Sequence, residues 1–290
     1  MTLLQIHVFI AISKTGSFTK AGEMLNLTQS AISQTLAGLE AEVGLVLFHR
    51  GKNGVTLTDA GERLIPYAHQ IVNSEEQFKQ VASSINGLQT GHLRIGCFPS
   101  FMASHMPELI SGFRKCYPKI SIEFKEGNYE EIITWLLGGA VDVAFNVKTV
   151  DPLQFIPLMN DPLLVVMPKD HRYANQTELT VEQIKSEPFI RDTGCEHFLE
   201  KLFPDSGQQP NYQFGVRDTF ALLAMVQSGL GITVLPKMSV PENLLSVCTS
   251  EFYPKVVRTI GLCYNSRRTI SPGASAFVRY VTDTVKQSLL

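Results

Sequence analysis

The chain has 290 residues, 44% hydrophobic and 18% charged, with a formal net charge of -2. That composition excludes a mostly disordered chain and leaves room for two or three packed domains. A near-neutral total also excludes a protein that coats nucleic acid over its whole surface, so any basic footprint must be local. Residues 1–58 carry Lys14, Lys20, Arg50 and Lys52 against Glu23, Glu40 and Glu42, an excess of one positive charge.

The first residues, MTLLQIHVFIAIS, are apolar but lack the positive start and small-residue cleavage site of a secretory leader. Leu4, Val8 and Ile12 share one helical face, which predicts an amphipathic helix. No apolar run approaches the roughly 20 residues that span a bilayer. The expectation is a cytoplasmic protein without a membrane partner.

Residues 16–39, GSFTKAGEMLNLTQSAISQTLAGL, read as two short helices joined by a tight turn. Phe18, Ala21 and Leu25 form the buried face of the first. Asn26 stops it, because Asn tolerates the left-handed conformation of a helix end, and Thr28 caps the next helix through its hydroxyl. In that second helix Ile32, Leu36 and Leu39 point inward. Thr28, Gln29, Ser30, Ser33 and Gln34 are left for DNA, their hydroxyls and amides suited to base edges in a major groove. Arg50 and Lys52 are the expected phosphate contacts.

The run from Phe9 to Ala68, about 60 residues, resembles the N-terminal winged helix-turn-helix and linker of LysR-type transcriptional regulators. The resemblance rests on the small pair Ala21 and Gly22, the TQSAIS opening of the second helix, the segment from Leu39 to Arg50, and LTDAG at Leu57 to Gly61. Gly22 departs from the family, which commonly has Ala there. The resemblance implies an α+β multidomain protein: a winged helix-turn-helix over 1–58, a linker and dimerisation helix over 59–89, a hinge at 90–92, and a two-lobed α/β effector-binding domain over 93–290. That domain resembles periplasmic solute-binding proteins, with lobe I at about 93–161 and 265–290 and lobe II at about 162–264. It further implies double-stranded DNA with two-fold half-sites, a small-molecule effector, homodimers and homotetramers, and RNA polymerase as partners.

From Thr58 to about Leu88 a seven-residue repeat places Leu64, Ile71, Phe78 and Ile85 in one position and Tyr67, Ser74, Val81 and Leu88 three residues later. This predicts a coiled-coil seam, on a rod of about 45 Å for some 30 residues. The alternative is a long helix packed on its own chain. Pro66 removes one backbone bond near the start of the rod.

Beyond the hinge, strands and helices alternate: strands at 93–97, 120–124 and 141–145, helices at 102–116 and 129–137. A second set has strands at 163–167 and 189–191, helices near 181–185, from Cys195 and over 221–228, then GLGITVLP. The strand 260–264 and the last helix cross back to the first set. The pattern predicts a mostly parallel sheet with helices on both faces.

In such sheets ligands sit beyond strand carboxyl ends and at helix starts. That rule selects Ser100, Phe101, Glu126, Asn128 and Asn146 from the first lobe and Thr193, Gly194 and Cys195 from the second. Arg191 and Arg217 are candidates to meet an anionic group, each beside an aspartate that offers a structural pairing instead. The expected effector is a small organic anion, with no cofactor. The five cysteines, Cys97, Cys116, Cys195, Cys248 and Cys263, include no CxxC pair, against a disulfide framework or zinc site. The histidines lack HxxxH spacing, and Glu130 and Glu131 diverge on a helix, so neither a metal site nor a catalytic residue is expected. A carrier protein and an enzyme are the competing classes.

Overall fold

The computed structural model describes residues 1–51, 54–85, 91–193, 202–203, 210–241, 246–267 and 270–288. Lys52, the hinge up to residue 90, Leu88, Gly194, Cys195 and the helix expected from Cys195 lie outside them.

The N-terminal head consists of α1 (Leu3–Thr15), α2 (Phe18–Leu25), α3 (Gln29–Val43) and a wing of β1 (Phe48–Gly51) and β2 (Gly54–Leu57). Its helix ends follow from local chemistry. Thr2, Ser17 and Thr28 accept hydrogen bonds from the backbone of Gln5, Lys20 and Ala31, each cap contributing about 1 kcal/mol. Asn26 closes α2 at φ 55°, the one non-glycine with positive φ among the described residues. Gly22 is explained by the tight turn, since a Cβ there would stand 2.6 Å from the Leu27 carbonyl oxygen. Ile32, Leu36 and Leu39 are buried with Val8, Phe9, Ile12 and Ala21. Leu4 corrects the expected face of α1: it is exposed, and the buried residues are Ile6, Val8, Phe9, Ala11 and Ile12. Packing against α2 and α3 on one side and the linker helix on the other demands this wider stripe.

The remainder comprises β3 (Gly91–Cys97), α5 (Pro99–Ser104), α6 (Met106–Cys116), β4 (Ile120–Glu126), α7 (Tyr129–Gly138), β5 (Val143–Asn146), β6 (Leu153–Pro168), β7 (Glu178–Leu179), α8 (Val181–Ile184), β8 (Pro188–Asp192), β9 (Asn211–Val216), α9 (Thr219–Gln227), β10 (Thr233–Pro236), β11 (Val247–Phe252), β12 (Val257–Asn265) and α10 (Pro272–Ser288), after the linker helix α4 (Asp59–Ile85). The main sheet runs β4-β3-β5-β12-β6-β11-β7, with β10 also on β6. β3 is parallel to β4 and β5, as the alternation predicts. The sheet as a whole is mixed, because β12 runs antiparallel to β5 and β6, and β10 and β11 antiparallel to β6. The reason is β6, a single strand serving both lobes. Its first part, interrupted in sequence by Pro157, Asn160, Asp161 and Pro162, does not read as a strand, yet it pairs with β12 throughout. β6 and β12 are the two crossovers.

Helix α4 lies between head and lobe I. Ala68, Ile71 and Val72 join the core of the head, and Gln80 Nε2 donates to the His92 carbonyl at 3.0 Å. Leu64 and Ile71 of the expected seam therefore pack within the chain. Tyr67, Phe78, Val81 and Ile85 remain exposed as one stripe, Phe78 and Ile85 at 77% and 80%.

Candidate functional site

On the head, Ile32, Leu36 and Leu39 of α3 are buried, and the first turns of its opposite side are polar. Gln29, Ser30 and Gln34 are exposed and Ser33 half-buried. Thr28 serves as the cap, with its hydroxyl 3.2 Å from the Ala31 nitrogen and 3.0 Å from Ser30 Oγ. On the wing, Arg50 is exposed and stacks its guanidinium 4.8 Å from the centroid of Phe18, at the start of α2. The contact holds the arginine beside the helix pair while leaving its donors to solvent.

Between the lobes lies a cleft of about 1120 Å³. Its floor is built on Arg258 and Asp161, cross-strand partners on β12 and β6. Arg258 Nε and Nη2 reach Asp161 Oδ2 at 2.8 and 2.7 Å, Nη1 donates to Tyr129 Oη at 2.6 Å, and Nη2 donates to Ser100 Oγ at 3.0 Å. The guanidinium also lies 4.9 Å from the Phe98 ring centroid. Asp161 Oδ1 accepts from the Met238 backbone at 3.2 Å. Arg258 and Asp161 are 2% and 4% exposed, so each charge requires the other. This network ties Ser100 and Tyr129 of lobe I to Met238 of lobe II.

Three helix starts border the cleft: that of α5 has no side-chain cap, and those of α7 and α9 are capped by their own side chains. Asn128 Oδ1 accepts from Glu131 N at 2.9 Å, and Asp218 Oδ1 accepts from Ala221 N at 2.8 Å. At the mouth, Arg217 Nη2 lies 3.7 Å from Glu131 Oε2, joining the lobes by an exposed pair of a kind that contributes about 0–1 kcal/mol.

Of the residues selected from sequence, Ser100, Glu126, Asn128 and Arg217 line this cleft. Phe101 and Asn146 do not. Phe101 is buried against Phe145 at 4.4 Å between centroids, and Asn146 is buried with its amide donating to the Tyr129 carbonyl at 2.9 Å. Arg191 is replaced by Asp192, since neighbours on a strand point to opposite faces: Asp192 lines the cleft, whereas Arg191 lies 5.3 Å from the Tyr212 ring centroid. Thr193 is exposed outside the lining.

Sequence reasoning missed Arg258, Asp161, Tyr129, Lys237 and Phe220. One signal was available: Arg258 shares the inward register of Ile260 and Leu262, and a charge at such a position demands a buried partner. Burial pushes the Cys97 thiol up, and pushes Cys263 up to about 12. Neither is suited to thiolate chemistry. Among the described residues no cluster of metal-ligating side chains occurs, and no helix is long and apolar enough to cross a membrane.

Residues 3–62 match the family described as bacterial regulatory helix-turn-helix protein, lysR family, and residues 86–286 match the LysR substrate binding domain. The chain is 34% identical over 285 residues to the uncharacterized HTH-type transcriptional regulator YvbU of Bacillus subtilis, covering 96% of this chain and 97% of that one. Its fold resembles that of a full-length OxyR variant of Pseudomonas aeruginosa, with a TM-score of 0.75 at 21% identity over 99% and 95% of the two chains. Its C-terminal part resembles the effector binding domain of QuiR in complex with shikimate, with a TM-score of 0.62 at 24% identity over 68% of this chain and 98% of that one.

Proposed function

The chain belongs to the LysR family of DNA-binding transcriptional regulators, and from that premise we propose that it reads an operator with α3 under the control of a small anionic effector held between its lobes. The observation that carries the proposal is the division of α3 into a buried apolar face and an exposed row of Gln29, Ser30 and Gln34. Gln29, Ser30, Ser33 and Gln34 contact base edges, and Thr28, Arg50 and Lys52 contact phosphates. The exposed stripe of α4 pairs two copies in a homodimer, which reads two half-sites, and dimers pair into tetramers that meet RNA polymerase on cytoplasmic DNA.

The anion reading rests on the cleft cations. Arg258 is neutralised by Asp161 and Lys255 is paired with Glu251, so the anionic group falls to Lys237 and to Arg217, whose pairing with Glu131 is long and exposed, with the Ser100 hydroxyl opposite. An effector that prefers one interlobe angle shifts the population of states, and α4, packed on lobe I, carries that change to the head. The domains 1–58, 59–89, 90–92 and 93–290 are the units of this mechanism.

A melting screen with a panel of small carboxylates, shikimate included, tests the cleft. A binder at 100 times its Kd stabilises by about 2.7 kcal/mol. The expected result is a raised Tm that Arg217→Ala abolishes. A carboxylate that stabilises both proteins equally contradicts the assignment of its anionic group to Arg217.

A further inference from the structure

Two loops face each other across the mouth of the cleft, built alike and opposite in charge. In lobe I, β4 ends at Glu126, Gly127 follows, and Asn128 caps α7. In lobe II, β9 ends at Val216, Arg217 follows, and Asp218 caps α9. Arg217 Nη2 lies 3.7 Å from Glu131 Oε2, and that oxygen also accepts from Asn128 N at 2.8 Å. The guanidinium of one loop therefore reaches the other loop, two residues from Glu126.

Most carboxylates that line the cleft already have partners. Asp161 is held by Arg258 and Glu251 by Lys255, Asp218 caps its helix, and Asp192 is buried and engaged. Glu126 differs: it lines the cleft, it is exposed, and its carboxylate has no hydrogen-bond or ion-pair partner among the described residues. The surroundings of Arg217 are thus acidic, with Asp218 next in the chain, Glu131 at 3.7 Å and Glu126 in the facing loop. A carboxylate brought to Arg217 meets three others, each of which repels it. An ammonium on the same molecule offsets that repulsion and gives Glu126 its partner. Beside these charges the walls are apolar. Phe220 is 74% exposed, with Leu223 one turn on, and Pro99 and Ala103 stand on lobe I.

We infer that the effector is an α-amino acid with an apolar side chain: its carboxylate meets Arg217, its ammonium meets Glu126, and its side chain lies along Phe220. The inference rests on the cleft reading above for the carboxylate and adds the other two groups. An α-amino acid carries both charges on one carbon, which suits two side chains that project from loops this close. It also explains why a site for an anionic group keeps an unpaired carboxylate. A simple anion gains from Arg217 and loses to Glu126, whereas a zwitterion gains from both. A hydrogen bond between charged groups of this kind is worth about tenfold or more in affinity.

Titration calorimetry of the full chain at pH 7.5 tests this with two matched sets: leucine, isocaproate and isoamylamine, and phenylalanine, hydrocinnamate and phenethylamine. In at least one set the amino acid binds about tenfold or more tighter than the acid that lacks its ammonium and the amine that lacks its carboxylate. Glu126→Gln then weakens the amino acid and tightens the acid, two changes of opposite sign that a general disturbance of the fold does not produce. Arg217→Ala weakens both. An acid that binds as tightly as its amino acid, or a Glu126→Gln protein that keeps the wild-type preference, overturns the inference and leaves the anion reading standing. A chain that binds none of the six overturns the inference as well, and the wider carboxylate panel then decides the anion reading by itself.

Discussion

In the head, the polar residues assigned to DNA are exposed and bonded to little beyond their own helix; in the cleft, the polar residues are buried and bonded to one another. Gln29, Ser30 and Gln34 stand in water, whereas Arg258, Asp161, Tyr129 and Ser100 form one network under a cavity of about 1120 Å³. The difference follows from the two partners. DNA brings its own fixed grid of phosphates and base edges, so a surface that meets it can wait solvated. A small solute brings few contacts, so its site must be ordered before it arrives, or ordering consumes the binding energy.

That contrast can be broken at the floor of the cleft, where the largest effect is expected. Arg258→Ala leaves Asp161 buried without its partner and costs about 3–5 kcal/mol in denaturant unfolding. Replacing both residues by apolar ones of similar volume, Arg258→Met with Asp161→Leu, recovers most of that loss. A silent Arg258→Ala contradicts the preordered floor. In the head the sensitive point is steric instead: Gly22→Val drives a side chain into the Leu27 carbonyl, for a loss of about 1–3 kcal/mol read by thermal melting.

The contrast is sharpened by two changes at the DNA surface that leave the fold intact. Ser33→Ala with Gln34→Ala lowers discrimination between operator and mismatched sites by about 1–3 kcal/mol per lost base contact, read by competition binding. Arg50→Ala has the smallest effect on specificity: it weakens binding to all sequences alike and reduces the salt slope of log K by about 0.9. An unchanged slope contradicts the phosphate contact assigned to the wing.

The same contrast explains which parts were legible. In the head each residue answers to one local rule: Asn26 to the left-handed stop, Thr28 to the cap, Ile32, Leu36 and Leu39 to the helical period. Such rules act over a few residues and are visible in sequence. The floor of the cleft joins Ser100 to Arg258 and Arg258 to Asp161, pairs 158 and 97 residues apart. No local rule spans that distance. Asn128 was placed correctly at a helix start, but it spends its side chain on the cap itself, as Asp218 does. Phe101 and Asn146 follow the rule for strand ends and still turn inward, because the first lobe needs them in its core. Strand β6 was half hidden because a crossover shared by two lobes tolerates prolines and polar residues that an ordinary buried strand excludes.

The account stands or falls on what the exposed row of α3 does. The most direct measurement is a footprint of the purified full chain on fragments of its own genome at physiological salt. The account predicts discrete protected sites built of two half-sites about one helical turn, or a multiple of it, apart, and their loss with Ser33→Ala and Gln34→Ala. Diffuse protection without preferred sites, or protection that survives those substitutions unchanged, contradicts it.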